Sequence, residues 1–175
     1  MAASTDKKIE IPKELAERFA AGQLTIGELV RLTPEAQRQV AMVGYNYLHS
    51  GNADKALDIY QGLVAASPRN PVFHTHLGAT LVALEEYDRA FDHYDEAVRL
   101  DPGNVDALAG RGELNLRRQK MKEAIQDLAE CVKADDGKRA ASAVRAAQML
   151  MMLNERVKAA TGGGAAKKSP EKKKK

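Results

Sequence analysis

Tryptophan is absent and phenylalanine occurs three times, so any core in this 175-residue chain is filled mainly by alanine and leucine. That filling suits closely packed helices. Cys131 is the single cysteine, which rules out an intrachain disulfide and makes a reducing cytoplasm the simplest setting. No apolar run approaches the roughly 20 residues of a membrane helix, so no membrane insertion is expected. The opening MAASTDKKIE is polar with no apolar stretch behind it, which argues against a secretory signal.

The body of the chain also lacks a strong excess of either charge. The formal net charge is +3, but Lys167, Lys168 and Lys172 to Lys175 lie in the last nine residues beside a lone acid, Glu171. Taking those six positive charges and one negative charge from +3 leaves −2 for the remainder. The lysine run would attract phosphate without specificity. Arg111, Arg117, Arg118, Lys120 and Lys122 cluster farther in, but Asp106, Glu113 and Glu123 are interspersed, so no specific nucleic-acid partner is expected.

The residues of catalysis and metal binding are equally sparse. His74 and His76 stand two apart and would not share a helix face. His49 and His93 have no second ligand at metal spacing, and Cys131 has no companion. No Gly-rich phosphate loop joins a strand to a helix, and Glu85 and Glu86 fall at a turn. We expect no enzyme, no cofactor and no metal, with His74 serving in packing.

What the chain does have is a period. Gly44, Gly78 and Gly112 are 34 residues apart, as are Ala56, Ala90 and Ala124. Tyr60, Tyr94 and Leu128 mark the next shared position, and Pro68 and Pro102 another. A small residue, then alanine, a bulky residue and proline at this spacing is the tetratricopeptide signature. The glycines let a second helix approach closely, the alanines are its reciprocal small residues, and the prolines turn the chain into the next repeat. The pattern predicts an all-α, right-handed superhelical array of three helical hairpins, at 37–70, 71–104 and 105–138, with flanking N- and C-terminal helices.

Outside the array, residues 1–11 are expected to be disordered and 12–36 to form leader helices. Pro12 and Gly22 bound the first, Thr25 with Glu28 caps the second, and Thr33-Pro34 opens the first repeat. Residues 139–160 predict a C-terminal capping helix carrying Ala143, Val144, Ala147, Leu150 and Met151 on one side, with the Met149, Met151 and Met152 group in capping contact. The glycine- and lysine-rich stretch 161–175 is expected to be disordered.

In such an array positions 2, 5, 9, 12 and 13 of each first helix face the concave groove. Ala41, Tyr45, Leu48, Val72, Thr75, Ala79, Val82, Ala109 and Leu116 are the apolar or small side chains so placed, with Arg38 and His49 near one end and Asp106, Glu113 and Arg117 at the other. Small residues leave hollows for a partner's apolar side chains, each worth roughly 1.5–3 kcal/mol when fully buried.

The leader carries a more specific likeness. Gly22-Gln23-Leu24-Thr25-Ile26-Gly27-Glu28-Leu29, then Leu32-Thr33-Pro34-Glu35, then Gly44-Tyr45-Asn46-Tyr47-Leu48-His49-Ser50-Gly51-Asn52 resembles the class II chaperones of type III secretion, the tetratricopeptide chaperones of hydrophobic translocator proteins. His76 to Thr80 and Glu86 to Ala90 resemble the family's second repeat. The likeness covers residues 20–100 and fades past Leu100. It implies a cytoplasmic, ATP-independent chaperone holding an extended apolar segment of a secreted translocator in its groove, with the role falling on Tyr45, Leu48, Ala79 and Val82. It also implies homodimerisation through the leader, with Leu15 and Phe19 as contact candidates. The alternative is a general tetratricopeptide scaffold for protein–protein interaction in a stable complex. From composition alone, a chain ending at Thr161 is expected to melt within a few degrees of the full chain; a much larger loss in a thermal melt would show the tail docked on the body.

Overall fold

The computed structural model describes Glu14, Arg18, residues 25–29 and residues 32–162. A four-residue helix α1 (Ile26–Leu29) leads into three hairpins: α2 (Pro34–His49) with α3 (Ala53–Ala66), α4 (Pro71–Ala83) with α5 (Tyr87–Leu100), and α6 (Val105–Arg117) with α7 (Met121–Ala134). A long helix α8 (Ala141–Gly162) closes the described chain. Two helices per hairpin, stacked in sequence order, form the expected all-α superhelical array.

The start of each hairpin is written in capping chemistry. The Thr33 hydroxyl accepts from the Ala36 N–H, the side-chain Oδ1 of Asn70 from the Val72 N–H, and that of Asn104 from the Ala107 N–H. Pro34 and Pro71 follow in the first turn, where a missing N–H costs nothing. Thr25 and Glu28 form a reciprocal capping box around α1, at 2.8 and 3.2 Å.

The turns inside the hairpins share one geometry, although their sequences differ. Asn52, Glu86 and Lys120 each donate an N–H to the carbonyl five residues back, Tyr47, Leu81 and Asn115, at 2.9 Å. This is a Schellman closure, which needs a left-handed residue just before it. Gly51 takes that conformation freely at φ 78°, while Glu85 and Gln119 are held there at 62° and 60°.

Packing inside the hairpins depends on absent side chains. A Cβ built on Gly44 would lie 3.0 Å from the ring of Tyr60, one on Gly78 2.9 Å from Tyr94, and one on Gly112 3.0 Å from Leu128. Ala56, Ala90 and Ala124 are fully buried on the facing helices. Gly110, which lies outside the 34-residue marks, is tighter still: its Cβ would sit 2.4 Å from the Tyr94 ring. The Tyr94 ring is thus wedged between glycines of two successive hairpins. Tyr60 is fully buried, its hydroxyl donates to the Ala41 carbonyl at 2.9 Å, and burial pushes it up to about 12.

Polar groups inside the array are paired. Asp127 is buried and receives Arg111 through two N–H groups at 3.0 and 2.6 Å and the Asn115 amide at 3.0 Å, tying α6 to α7. Arg111 also reaches Asp95 on α5 at 2.6 Å. Cys131 donates to the Val105 carbonyl at 3.3 Å, and burial pushes its thiol up to about 11, which leaves it unreactive. His74 is buried as the packing role required. Its two ring nitrogens lie 3.0 Å from the Pro68 carbonyl and 3.1 Å from Nδ1 of His93. Nε2–H of His74 donates to that carbonyl, and only one proton fits between the two facing Nδ1 atoms.

Two measurements check this packing. Gly110→Ala is expected to cost about 1–3 kcal/mol in a denaturant melt, because Tyr94 has no room to retreat. Gly62→Ala on α3, whose Cβ would meet nothing within 4 Å, should instead stabilise by about 0.5–1 kcal/mol. Equal effects at the two sites would remove the wedge.

The second concerns pH. Burial, then the facing His74 and Arg89, hold His93 below its ordinary value of 6.5, against the pull of Asp92 and Glu96. The unfolded chain therefore takes up the proton first. The contribution of His93 is complete above about pH 6.5 and is lost as pH falls through its lower folded value. The melting temperature should drop on acidification, and His93→Gln, which keeps an amide donor for His74, should flatten the profile. A residual slope is expected from His76, also lowered by burial. Identical slopes in parent and variant would place the titration elsewhere.

Candidate functional site: a groove of two cavities

The first helices of the hairpins, α2, α4 and α6, line a groove containing two adjoining cavities. The larger, about 540 Å³, is bordered by Tyr45, Leu48 and His49 of α2, Thr75, His76, Ala79 and Val82 of α4, and Asp106, Gly110, Glu113 and Arg117 of α6. Tyr87 and Tyr94 reach it from α5, and Ser142 and Arg145 from α8. The smaller, about 290 Å³, lies between α2 and α4 and is lined by Arg38, Ala41, Met42, Tyr45, Val72, Phe73 and His76.

Tyr45 and His76 border both cavities and stand edge to face, with ring centroids 6.3 Å apart. The His76 ring in turn lies stacked on Tyr60 at 5.1 Å, and Tyr45 lies against His49 at 3.8 Å. Burial holds His76 below the usual imidazole value, only partly offset by Asp106, so the partition between the cavities is uncharged near neutrality. Aromatic rings and small aliphatic residues thus make one end of the groove apolar.

The other end is charged, and its charges are arranged by α8. Asp135, buried in the loop after α7, accepts the N–H groups of Arg139 and Ala140 at 2.7 and 3.0 Å and so turns the chain back towards α6. From there Ser142 donates to Asp106 at 2.5 Å and Arg145 to Glu113 at 2.6 Å. Beneath these contacts Ala143 and Ala146 pack with Leu108, Ala109, Leu128 and Cys131.

Of the nine groove residues read from the sequence, Tyr45, Leu48, Thr75, Ala79 and Val82 border the larger cavity and Ala41, Tyr45 and Val72 the smaller. Ala109 and Leu116 require correction. Ala109 is fully buried, and Leu116 packs against the cluster beneath α8. The helix that caps the array also covers the groove face of the last hairpin. Val144, Met151 and Met152, expected in capping contact, are instead exposed, and Met149, Leu150 and Leu153 make that contact. Position rules for an open array missed His76, Tyr87, Tyr94 and Gly110, together with Ser142 and Arg145. Leu15 and Phe19, the dimer candidates, fall outside the described residues, as do residues 1–11 and the lysine tail.

The tetratricopeptide repeat family model matches residues 77–140. A solved type III secretion complex from Aeromonas hydrophila superposes with a TM-score of 0.71 at 23% identity, over 82% of this chain and 97% of that one. The fold is a tetratricopeptide array. The translocator chaperone SycD of Yersinia enterocolitica superposes at 0.66 with 22% identity, over 73% of this chain and 97% of SycD. PcrH, solved with the chaperone-binding region of PopB, gives 0.62 at 22%, over 68% and 98%. Among curated sequences, BBSome complex member BBS4 of Bos taurus is 36% identical over 73 residues, 42% of this chain and 14% of BBS4. The chain thus spans a small part of the curated relatives it matches, but nearly the whole length of the solved secretion chaperones. At these identities the array shares its fold with them.

Proposed function

We propose that this protein is a class II type III secretion chaperone: it holds an extended, apolar segment of a secreted translocator in the groove, in the cytoplasm and without nucleotide. The observation that carries this reading is the pair of adjoining cavities, apolar at the α2–α4 end and bordered by side chains from all three hairpins. Two supports stand beside it. The leader Gly22 to Leu29 and the run Leu32 to Asn52 resemble that family, and the fold matches nearly the full length of SycD and PcrH.

The physics of holding is simple. A translocator's hydrophobic segment, left in water, would expose apolar side chains and aggregate. Bound as an extended strand, it places such side chains into the hollow beside Ala41 and Val72 and into the larger one beside Ala79 and Val82. Tyr45 and Leu48 offer flat apolar area between them. No step of this reading requires bond making or breaking.

Charging the groove floor should abolish the hold. In Ala79→Glu with Val82→Glu, a bound apolar segment would bury two unpaired carboxylates, at a cost of several kcal/mol or a hundredfold and more in affinity. The probe is the N-terminal segment of a translocator from a type III secretion operon of the same genome, titrated by calorimetry. Circular dichroism should show unchanged helicity. A folded double variant that binds that segment as tightly as the parent would remove the groove as the site.

A further inference from the structure

Three arginines border the two cavities, and they are not equivalent. Arg38 pairs with Glu35 on its own helix, and Arg145 donates to Glu113. Arg117, the last residue of α6, has no carboxylate partner among the described residues. Its guanidinium carbon instead lies 3.7 Å from the centroid of the Tyr87 ring. Stacking of this kind fixes the plane of the guanidinium and occupies one face, and it leaves the in-plane N–H groups at the edge as donors. Both Arg117 and Tyr87 border the larger cavity, as do Val82 and Leu48.

The acids that share this cavity are already engaged. Asp106 receives the Ser142 hydroxyl and Glu113 the Arg145 guanidinium, each through a contact supplied by α8. Glu113, one helical turn before Arg117, is therefore neutralised from the other side. The result is a cation held over the Tyr87 ring where the apolar end of the cavity meets its charged end, with N–H donors suited to a carboxylate.

We propose that Arg117 reads an acidic side chain of the bound segment, so that the groove selects a peptide carrying Asp or Glu at a fixed distance from the apolar residue seated beside Ala79 and Val82. This rests on the groove-binding reading above and adds a requirement that an apolar groove alone would not impose. The gain is selectivity. Apolar hollows accept many hydrophobic sequences, whereas a positioned arginine penalises those with a basic residue at that place.

The test is a parallel selection from a display library of random linear dodecapeptides against three proteins: the parent, Arg117→Glu, and Ala79→Glu with Val82→Glu. The parent should select peptides with apolar positions and an acid at constant spacing from them. Arg117→Glu should keep the apolar positions and exchange the acid for lysine or arginine, and a parent-selected peptide should bind it roughly tenfold more weakly or worse. Arg117→Gln, which introduces no new charge, should keep the apolar positions and lose the acid, and it supplies the result if the reversal fails to fold. The same acidic position in the Arg117→Glu selection, or no charge preference in the parent, overturns the assignment while leaving the groove intact. Peptides that bind the Ala79→Glu, Val82→Glu protein as well as the parent overturn the groove reading and this one with it.

Discussion

The close approach of Tyr94 to two glycines holds the geometry of this array. Gly78 lets α5 press against α4, and Gly110 lets the same ring press against α6, so a single aromatic side chain spaces three helices. Replacing either glycine by a residue with a Cβ would force the helices apart and change the separation of α4 and α6, which is the width of the larger cavity. The equivalent place one repeat earlier is solved differently. Tyr60 sits 34 residues before Tyr94, and His76 sits 34 before Gly110. There the imidazole stacks on the tyrosine and stands as the partition between the cavities. Where glycine replaces that histidine, no such wall is built, and the groove opens into its larger hollow. One periodic position therefore shapes the groove twice, once by a side chain and once by the lack of one.

The far end of the groove is set by α8. Buried Asp135 fixes the loop that reverses the chain, and Ser142 and Arg145 then meet Asp106 and Glu113 across the groove. These contacts do two things at once. They bury the apolar side of the last hairpin, as an array end requires. They also neutralise Glu113 through Arg145 and occupy one oxygen of Asp106 with the Ser142 hydroxyl, which weakens the negative field at Arg117. The partly exposed ion pair between Arg145 and Glu113 adds little to stability, because such pairs are screened by water. Its larger effect is on which charge the groove presents.

The array was legible in the sequence because its signals are local and repeated. Gly44, Gly78 and Gly112 mark one contact three times, and Thr33-Pro34 announces a helix start by chemistry that needs no tertiary context. The groove was legible only where the array is open. Ala109 and Leu116 occupy positions that face the groove in principle, but a periodic rule carries no information about a non-repeating helix folding back over the last repeat. The complementary pairs of α8 with α6 were the available signal, and they become visible only once the two helices are placed side by side. Gly110 and His76 were missed for a related reason: they share a register, but one is a glycine and the other a ring, so they do not read as a repeat. Arg117 was visible as part of a basic cluster, but its stacking on Tyr87 depends on how two repeats meet.

These features suit a hold that can be released. Both cavities are already formed without a guest, so binding of the proposed client would spend little on reorganising the array. The guest, extended and flexible, carries most of the ordering cost, typically about 2–5 kcal/mol for a segment that orders on binding. Two apolar side chains seated in the two cavities contribute roughly 1.5–3 kcal/mol each when fully buried. That sum exceeds the ordering cost by only a small margin. Affinity sufficient to retain the proposed client would thus require both hollows to be filled together, with the remainder drawn from backbone contacts and from the carboxylate proposed to meet Arg117. Loss of any one contact would then tip the balance towards release, so under the proposed role a pull on the segment from one end would need to break them only in turn.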